Sequence, residues 1–134
     1  MLELRNVSSG YGAIEAVRSL DLRIEQGEIV TLIGSNRAGK STTLRAISGT
    51  HKPRTGSILL SGREIHHLPA HEIVTLGIAH SPEGRRVFSR MSVFENLLMG
   101  AFSRHRQKID DDVARVFDLF PRMKERRGQK ARTL

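Results

Sequence analysis

The pattern of apolar and polar residues in the first third of the chain predicts short β-strands separated by turns. Leu2, Leu4 and Val7 are assigned to a first strand. Residues 20–25 alternate between apolar and charged side chains with a period of two, which is typical of a half-buried strand. Residues 29–33 form a continuous β-branched and apolar run. Such a run predicts a strand buried on both faces of a mainly parallel sheet.

Apolar residues recur at helical spacing in later segments, and each of these segments is predicted to be a helix. The segments are residues 44–47, 69–76, 93–98 and 113–120. Gly49 and Gly77 are expected to stop the first two helices, and Pro121 to end or kink the last. Two further short strands are predicted, at residues 58–60 and 78–81.

Length and composition predict one globular domain. The chain has 134 residues, of which 38% are hydrophobic and 27% charged, so it can bury a core of its own. It has no cysteine, which excludes disulfides and cysteine-based zinc sites and suits a reducing compartment. No signal-type segment and no apolar run of membrane-spanning length is visible. We therefore expect a cytoplasmic protein whose contact with a membrane is made through a partner.

The charge balance favours a polyanionic partner without choosing among the classes. Lys and Arg number 22 against 14 Asp and Glu, giving a formal net charge of +8. Such an excess attracts nucleotides, nucleic acid or anionic lipid alike. Much of it lies in residues 122–132, where a solvated helix and tail is the simpler interpretation.

Residues 34–41 carry the strongest chemical signal in the chain. They spell G-x-x-x-x-G-K-S directly after a predicted strand and at the start of a predicted helix, which is the context of a phosphate-binding loop. Backbone N–H groups and the positive end of the helix dipole should face the anion. The residues assigned to the nucleotide in this segment are Gly34, Ser35, Asn36, Arg37, Ala38, Gly39, Lys40, Ser41 and Thr42. Lys40 is expected at the β- and γ-phosphates, Ser41 at Mg²⁺ and Thr42 at the α-phosphate.

Three segments together resemble one family. They are SGYGAIEAVRSLDLRIEQGE, IVTLIGSNRAGKSTTLRAISG and HSPEGRRVFSRMSVFENLLMGAF. In this order they are similar to the ATP-binding subunits of ABC transporters, in the branch that serves branched-chain amino acid uptake. The resemblance implies the N-terminal half of a P-loop NTPase-like α/β domain, with an antiparallel β part and a parallel-sheet core with helices. It also implies ATP and Mg²⁺ as cofactors, permease subunits and a second ATP-binding subunit as partners, and a place at the inner face of the membrane.

The resemblance assigns roles outside the phosphate loop. Tyr11, in SGYG, matches the aromatic residue that stacks on adenine, against the alternative of a turn tyrosine. Glu83 stands at the family's usual Q-loop glutamine and could hold the metal through water, against the alternative of a solvent-facing acid in a turn. Arg85, Arg86 and the helix beginning near Met91 would lie near the face that docks on the permease, where an ordinary charged surface is the alternative. The histidines at positions 66, 67, 71, 80 and 105 show no ligand spacing and are interpreted as surface or packing residues.

Two departures from the family pattern affect function. Arg37 stands where the family has a third loop glycine, so a non-glycine residue is expected at positive φ, with strain that would weaken ATP binding. The sequence ends at Leu134, before the family's signature motif, its acidic strand end and its switch histidine. Residues 1–134 are thus expected to be a partial ABC domain without a complete catalytic set, which binds ATP without hydrolysing it and exposes an apolar strand edge.

Two other function classes remain open at this point. A basic nucleic-acid-binding module would account for the charge of +8, although aromatic residues make up only 4% of the chain and stacking surfaces are scarce. Another small P-loop protein, such as a small-molecule kinase, would account for the loop. It would need acceptor-site arginines and a lid, and Tyr11 placed before the loop argues against it.

Overall fold

A computed structural model describes residues 1–84, 86–103 and 109–133, which form two compact units, Met1–His80 and Ser81–Leu134. Arg85 and His105, which carried expectations from the sequence, lie outside the described residues.

The first unit is built on a four-stranded antiparallel sheet. The strands are β1 (Leu2–Tyr11), β2 (Ile14–Ile24), β3 (Thr55–Leu60) and β4 (Arg63–Glu64), in the order β2-β1-β3-β4. β1 and β2 form a hairpin in which Leu2 pairs with Ile24 at one end and Tyr11 with Ile14 at the other. The predicted strands at residues 2–7, 20–25 and 58–60 are therefore confirmed, and the hairpin turn places Tyr11 at the tip of the sheet.

Two helices pack on this sheet and enclose the core of the unit. They are α1 (Lys40–Ile47) and α2 (Ala70–Thr75), and both were expected from the apolar spacing. Leu4, Val7, Ile58, Ile65 and Ile73 are each 1% exposed or less. Burying a side chain of this size contributes about 1.5–3 kcal/mol. The core therefore fixes the backbone from which the loop before α1 and the tip of the hairpin project.

Two predicted strands are not formed, and this corrects the expectation of a buried parallel core. Residues 29–33 and 78–81 have no strand structure, and Ile29 and Ile33 are 95% and 93% exposed. A strand persists only where its N–H and C=O groups pair with a neighbour. Within the described ranges neither segment has such a neighbour. The α/β class holds, while the sheet that the structure shows is antiparallel throughout.

The second unit is helical. It contains α3 (Val93–Gly100), α4 (Ile109–Leu119), α5 (Pro121–Glu125) and a 3₁₀ turn (Ala131–Thr133). The two predicted helices are confirmed, and Pro121 occupies the first turn of α5, where its missing N–H costs nothing. In the described part of the chain, no helix combines the length and the apolar character needed to cross a membrane.

The start of α3 is fixed by a reciprocal cap. Ser92 Oγ accepts from the Glu95 N–H at 3.1 Å, and the Ser92 N–H donates to Glu95 Oε2 at 2.7 Å. This pair satisfies two donors that a helix start otherwise leaves without partners. The backbone hydrogen bond from Ser92 is also the main reason why the pKa of Glu95 lies below its ordinary value.

Candidate nucleotide-binding site

The loop that precedes α1 is an exposed turn closed by its own hydrogen bond. The Ala38 N–H donates to the Ser35 carbonyl at 3.1 Å, and Arg37, the third residue of this four-residue turn, has φ 74°. A type II turn requires positive φ at its third residue, which is why glycine is common there. The expected positive φ at Arg37 is confirmed, so an arginine occupies a backbone conformation that favours glycine.

Gly39 closes the loop against the hairpin for two independent reasons. Its φ is 86°, a region that glycine enters without a steric penalty. A Cβ at this position would overlap the Ala16 carbonyl oxygen and come within 2.8 Å of Val17 Cγ2. The loop end is thus seated directly on β2, and only a residue without a side chain fits.

Lys40 extends back across the loop that it follows. Its Nζ donates to the Gly34 carbonyl at 2.7 Å and to the Ser35 carbonyl at 2.8 Å. The first backbone hydrogen bond of α1 runs from the Thr43 N–H to the Gly39 carbonyl at 2.8 Å, so the N–H groups before it have no acceptor within the helix. An ammonium group and a helix start that share one loop are the two elements from which an anion site is built.

The predicted metal ligands differ in setting. Ser41, on the first turn of α1, is exposed, so its hydroxyl is free to meet a cation beside the phosphates. Glu83 is also exposed and lies in a bend before Gly84, whose φ is 79°. Its backbone carbonyl accepts from Arg86 Nε at 3.4 Å. Glu83 belongs to the second unit, and its part in a metal site stays a prediction.

Tyr11 lies beside the helix that carries the loop. Its hydroxyl accepts from Arg45 Nη1 at 3.1 Å, and its ring centroid is 4.4 Å from that of His51. The hydrogen bond from Arg45 is the largest cause, and one from the Thr42 side chain a further cause, of a Tyr11 pKa below its ordinary value. Tyr11 is 44% exposed, whereas Thr42 is only 6% exposed. The assignments of Tyr11 to adenine and of Thr42 to the α-phosphate stay predictions.

Sequence reasoning did not single out Arg45 or His51. Neither belongs to the motif, and no local spacing relates them to Tyr11. The contact exists because the hairpin and the end of α1 meet in the folded unit.

Among the described residues, one group of possible metal ligands lies close together. It consists of Glu64, His66 and His67, whose possible ligand atoms lie within 4.8 Å of one another. His66 Nδ1 accepts from the Ile58 N–H at 3.4 Å. A neutral imidazole that accepts at Nδ1 carries its proton on Nε2 and has no free lone pair for a metal. His66 is therefore retained as a packing residue, and the exposure of His67 agrees with its interpretation as a surface residue.

An apolar cavity of about 560 Å³ lies within the second unit. Its lining includes Arg86, Val87, Phe88, Leu97, Met99 and Phe102. The cavity falls in the segment that the sequence assigned to permease docking, and α3 begins at Val93 rather than near Met91. Docking at this surface stays a prediction.

Comparison with known proteins identifies relatives along the whole chain. The family described as ABC transporter matches residues 17–134. A high-affinity branched-chain amino acid transport ATP-binding protein of Pseudomonas aeruginosa, BraG, is 46% identical over 134 residues, which cover 100% of this chain and 58% of BraG. A probable branched-chain amino acid transport ATP-binding protein of Archaeoglobus fulgidus, LivF, is 33% identical over 134 residues, 100% of this chain and 57% of LivF. The chain therefore spans little more than half the length of these relatives.

Solved structures show the same fold. An ATP-binding subunit of an ABC transporter is 27% identical, with a TM-score of 0.82 over 96% of this chain and 53% of its own. A dimeric ATP-binding cassette bound to ADP and Pi is 20% identical, with a TM-score of 0.86 over 100% of this chain and 63% of its own. Both likenesses extend over nearly all of the chain.

Proposed function

Because this chain belongs to the ABC transporter family, we propose that it binds ATP and Mg²⁺ as part of the energy-coupling subunit of an importer for branched-chain amino acids. The observation that carries the proposal is the loop before α1, where Lys40 Nζ lies 2.7 and 2.8 Å from the Gly34 and Ser35 carbonyls. Relatives whose names specify transport of branched-chain amino acids supply the substrate class.

The chain's own groups account for phosphate binding. Lys40 would exchange its two neutral carbonyl acceptors for the β- and γ-phosphate oxygens, so that both partners of each hydrogen bond would be charged. The free N–H groups at the start of α1 would receive the same oxygens. The exposed Ser41 hydroxyl would ligate Mg²⁺, a hard cation that prefers oxygen ligands and would neutralise charge between the phosphates. The resemblance assigns Glu83 to the same ion through water, and this assignment stays a prediction.

The remaining parts of the proposal concern the assembly. We assign the subunit to the cytoplasmic face of the inner membrane, where it would associate with permease subunits and with a second ATP-binding subunit. Attachment to the membrane would run through the permease. The solved ATP-binding cassette bound to ADP and Pi is dimeric, which supports pairing of two such subunits.

Replacing Lys40 tests ATP binding directly. Lys40→Ala should weaken binding of Mg-ATP by at least about tenfold, because removing one charge-assisted phosphate contact costs about 1.5–3 kcal/mol. Lys52→Ala is the matched control, since Lys52 is exposed and its Nζ donates to the His67 carbonyl at 3.4 Å. Calorimetric titration of ATP into the three proteins measures the effect, and circular dichroism verifies that the helices are retained. Equal affinity in the Lys40 and Lys52 variants would remove the basis of the proposal.

The formal net charge of +8 also favours a second function that can be tested, the binding of nucleic acid. A nucleic-acid-binding module would be retained on immobilised DNA in a salt-sensitive manner and would not be eluted by ATP. Retention on a γ-phosphate-linked ATP resin that free ATP competes away would assign the charge to nucleotide binding instead.

A further inference from the structure

We infer that His51 is a positioning residue for ATP. Its imidazole packs against one face of the Tyr11 ring, which serves as a platform, and leaves the opposite face of that ring for the adenine base. The inference rests on the proposed binding of ATP. It assigns a role to the loop between α1 and β3, which carries neither the phosphate motif nor the predicted adenine contact.

The backbone around Tyr11 is held from both sides by that loop. His51 Nε2 donates to the Gly10 carbonyl at 3.0 Å; a carbonyl only accepts, so the ring nitrogen carries the proton. Arg54 Nη2 donates to the Gly12 carbonyl, and the Arg54 N–H donates to the Ser8 carbonyl at 2.8 Å. The two carbonyls that flank Tyr11 in sequence are thus both engaged by side chains of residues 51–54.

The ring of Tyr11 also has contacts of its own. The imidazole of His51 lies 4.4 Å from it at an interplanar angle of 31°, a distance at which aromatic rings attract each other. The hydroxyl is fixed by Arg45 Nη1 at 3.1 Å. Since 44% of Tyr11 is still exposed, the side chain is positioned without being enclosed.

These contacts join the platform to the phosphate loop. Arg45 lies on α1, the helix that begins with Lys40, and the His51 N–H donates to the Arg45 carbonyl at 3.1 Å. The histidine is therefore fixed to the end of α1 and the tyrosine to its side. A base on Tyr11 and phosphates at Lys40 would therefore both lie against the same helix, α1.

Positioning affects affinity because an unheld ring must be immobilised when the base binds. Immobilising one side chain on binding weakens affinity by about two- to tenfold. Loss of the His51 ring should therefore weaken ATP by about three- to tenfold, with no effect on a ligand that lacks the base. This dependence on the base separates positioning from general damage to the site.

The chain provides its own reporter for the test. It contains a single tyrosine and no tryptophan, so intrinsic fluorescence comes from Tyr11 alone. His51→Gln retains a donor for the Gly10 carbonyl and removes the ring, His51→Phe retains the ring and removes the donor, and His51→Ala removes both. His71→Ala is the matched control, since His71 is exposed on α2. Affinities for ATP and for inorganic tripolyphosphate are measured by calorimetry, and ring mobility by tyrosine emission anisotropy.

We expect His51→Gln and His51→Ala to lower the anisotropy and to weaken ATP by about three- to tenfold, with tripolyphosphate unchanged. His71→Ala should match the parent within about twofold, and His51→Phe, which keeps the ring but loses the bond to Gly10, should weaken ATP less than His51→Ala does. If His51→Gln binds ATP like the parent while His51→Phe does not, the Gly10 hydrogen bond and not the ring contact is responsible, and the inference is wrong. Parallel loss of tripolyphosphate would likewise overturn it. A parent protein that fails to bind ATP contradicts the proposed function, whereas ATP binding that is indifferent to every His51 change contradicts this inference alone.

Discussion

Replacing Arg37 by glycine should stabilise the first unit. The turn that holds Arg37 at φ 74° is closed by the hydrogen bond from Ala38 to Ser35 and crossed by Lys40, so its conformation is set by bonds within the loop. Positive φ costs a non-glycine residue about 1–2 kcal/mol, and glycine's greater freedom in the unfolded chain cancels about 0.5–1 kcal/mol of the relief. Arg37→Gly should then raise the free energy of unfolding by about 0.5–1 kcal/mol. For a unit of this size the melting temperature would rise by about 2–8 °C.

The assay can follow this unit alone. Tyr11 is the only tyrosine and lies in the same unit as Arg37, so thermal unfolding monitored by its fluorescence excludes the second unit. Arg37→Ala is the matched control because it removes the charge and retains a Cβ at positive φ. It should show no gain. Equal gains in the glycine and alanine variants would show that the guanidinium, and not the backbone, limits stability.

The same variants separate strain from charge in ATP binding. The turn is already formed in this structure, and strain that is equal before and after the ligand arrives would not oppose binding. The weaker ATP binding expected from the sequence therefore stays a prediction, and these variants test it. Losing the exposed guanidinium should weaken ATP by no more than about 1 kcal/mol in both variants, and the difference should vanish at high salt. If Arg37→Gly binds ATP more tightly than the parent at high salt and Arg37→Ala does not, the turn forms only on binding and this reasoning is refuted.

Other substitutions probe the surrounding structure. Gly39→Ala should destabilise the first unit by about 2 kcal/mol or more, because its Cβ would overlap a β2 carbonyl at positive φ; an unchanged urea midpoint would contradict this. Tyr11→Ala should weaken ATP and ADP alike by about 1–3 kcal/mol, whereas Tyr11→Trp should retain binding in the same calorimetric titration. Ser92→Ala should cost about 1 kcal/mol of helix stability, measured by chemical denaturation. The pKa of Glu95 is lowered, so the stabilisation from its carboxylate is present above the ordinary pKa of 4.5 and is lost as pH falls below that value. Below pH 4.5 the melting temperature of the parent should therefore fall more steeply with pH than that of Glu95→Gln.

Interactions between residues that are close in sequence determine much of this structure. The spacing of Gly34, Gly39 and Lys40 after an apolar run predicts the phosphate loop, and a turn with a residue at positive φ follows from the third-glycine position of Arg37. Apolar positions located the first part of β1, period-two alternation located the second half of β2, and helical spacing located α1 to α4, because each pattern depends on neighbours only a few residues away.

Contacts between distant segments were decided only by the tertiary structure. Residues 29–33 have the apolar, β-branched character of a buried strand, yet no described segment pairs with them, because strand pairing is a property of two segments and composition belongs to one. The setting of Tyr11 is a second case. His51 and Arg45 reach it because the hairpin and the end of α1 are brought together by the core, and no residue near Tyr11 in sequence carries a sign of either contact.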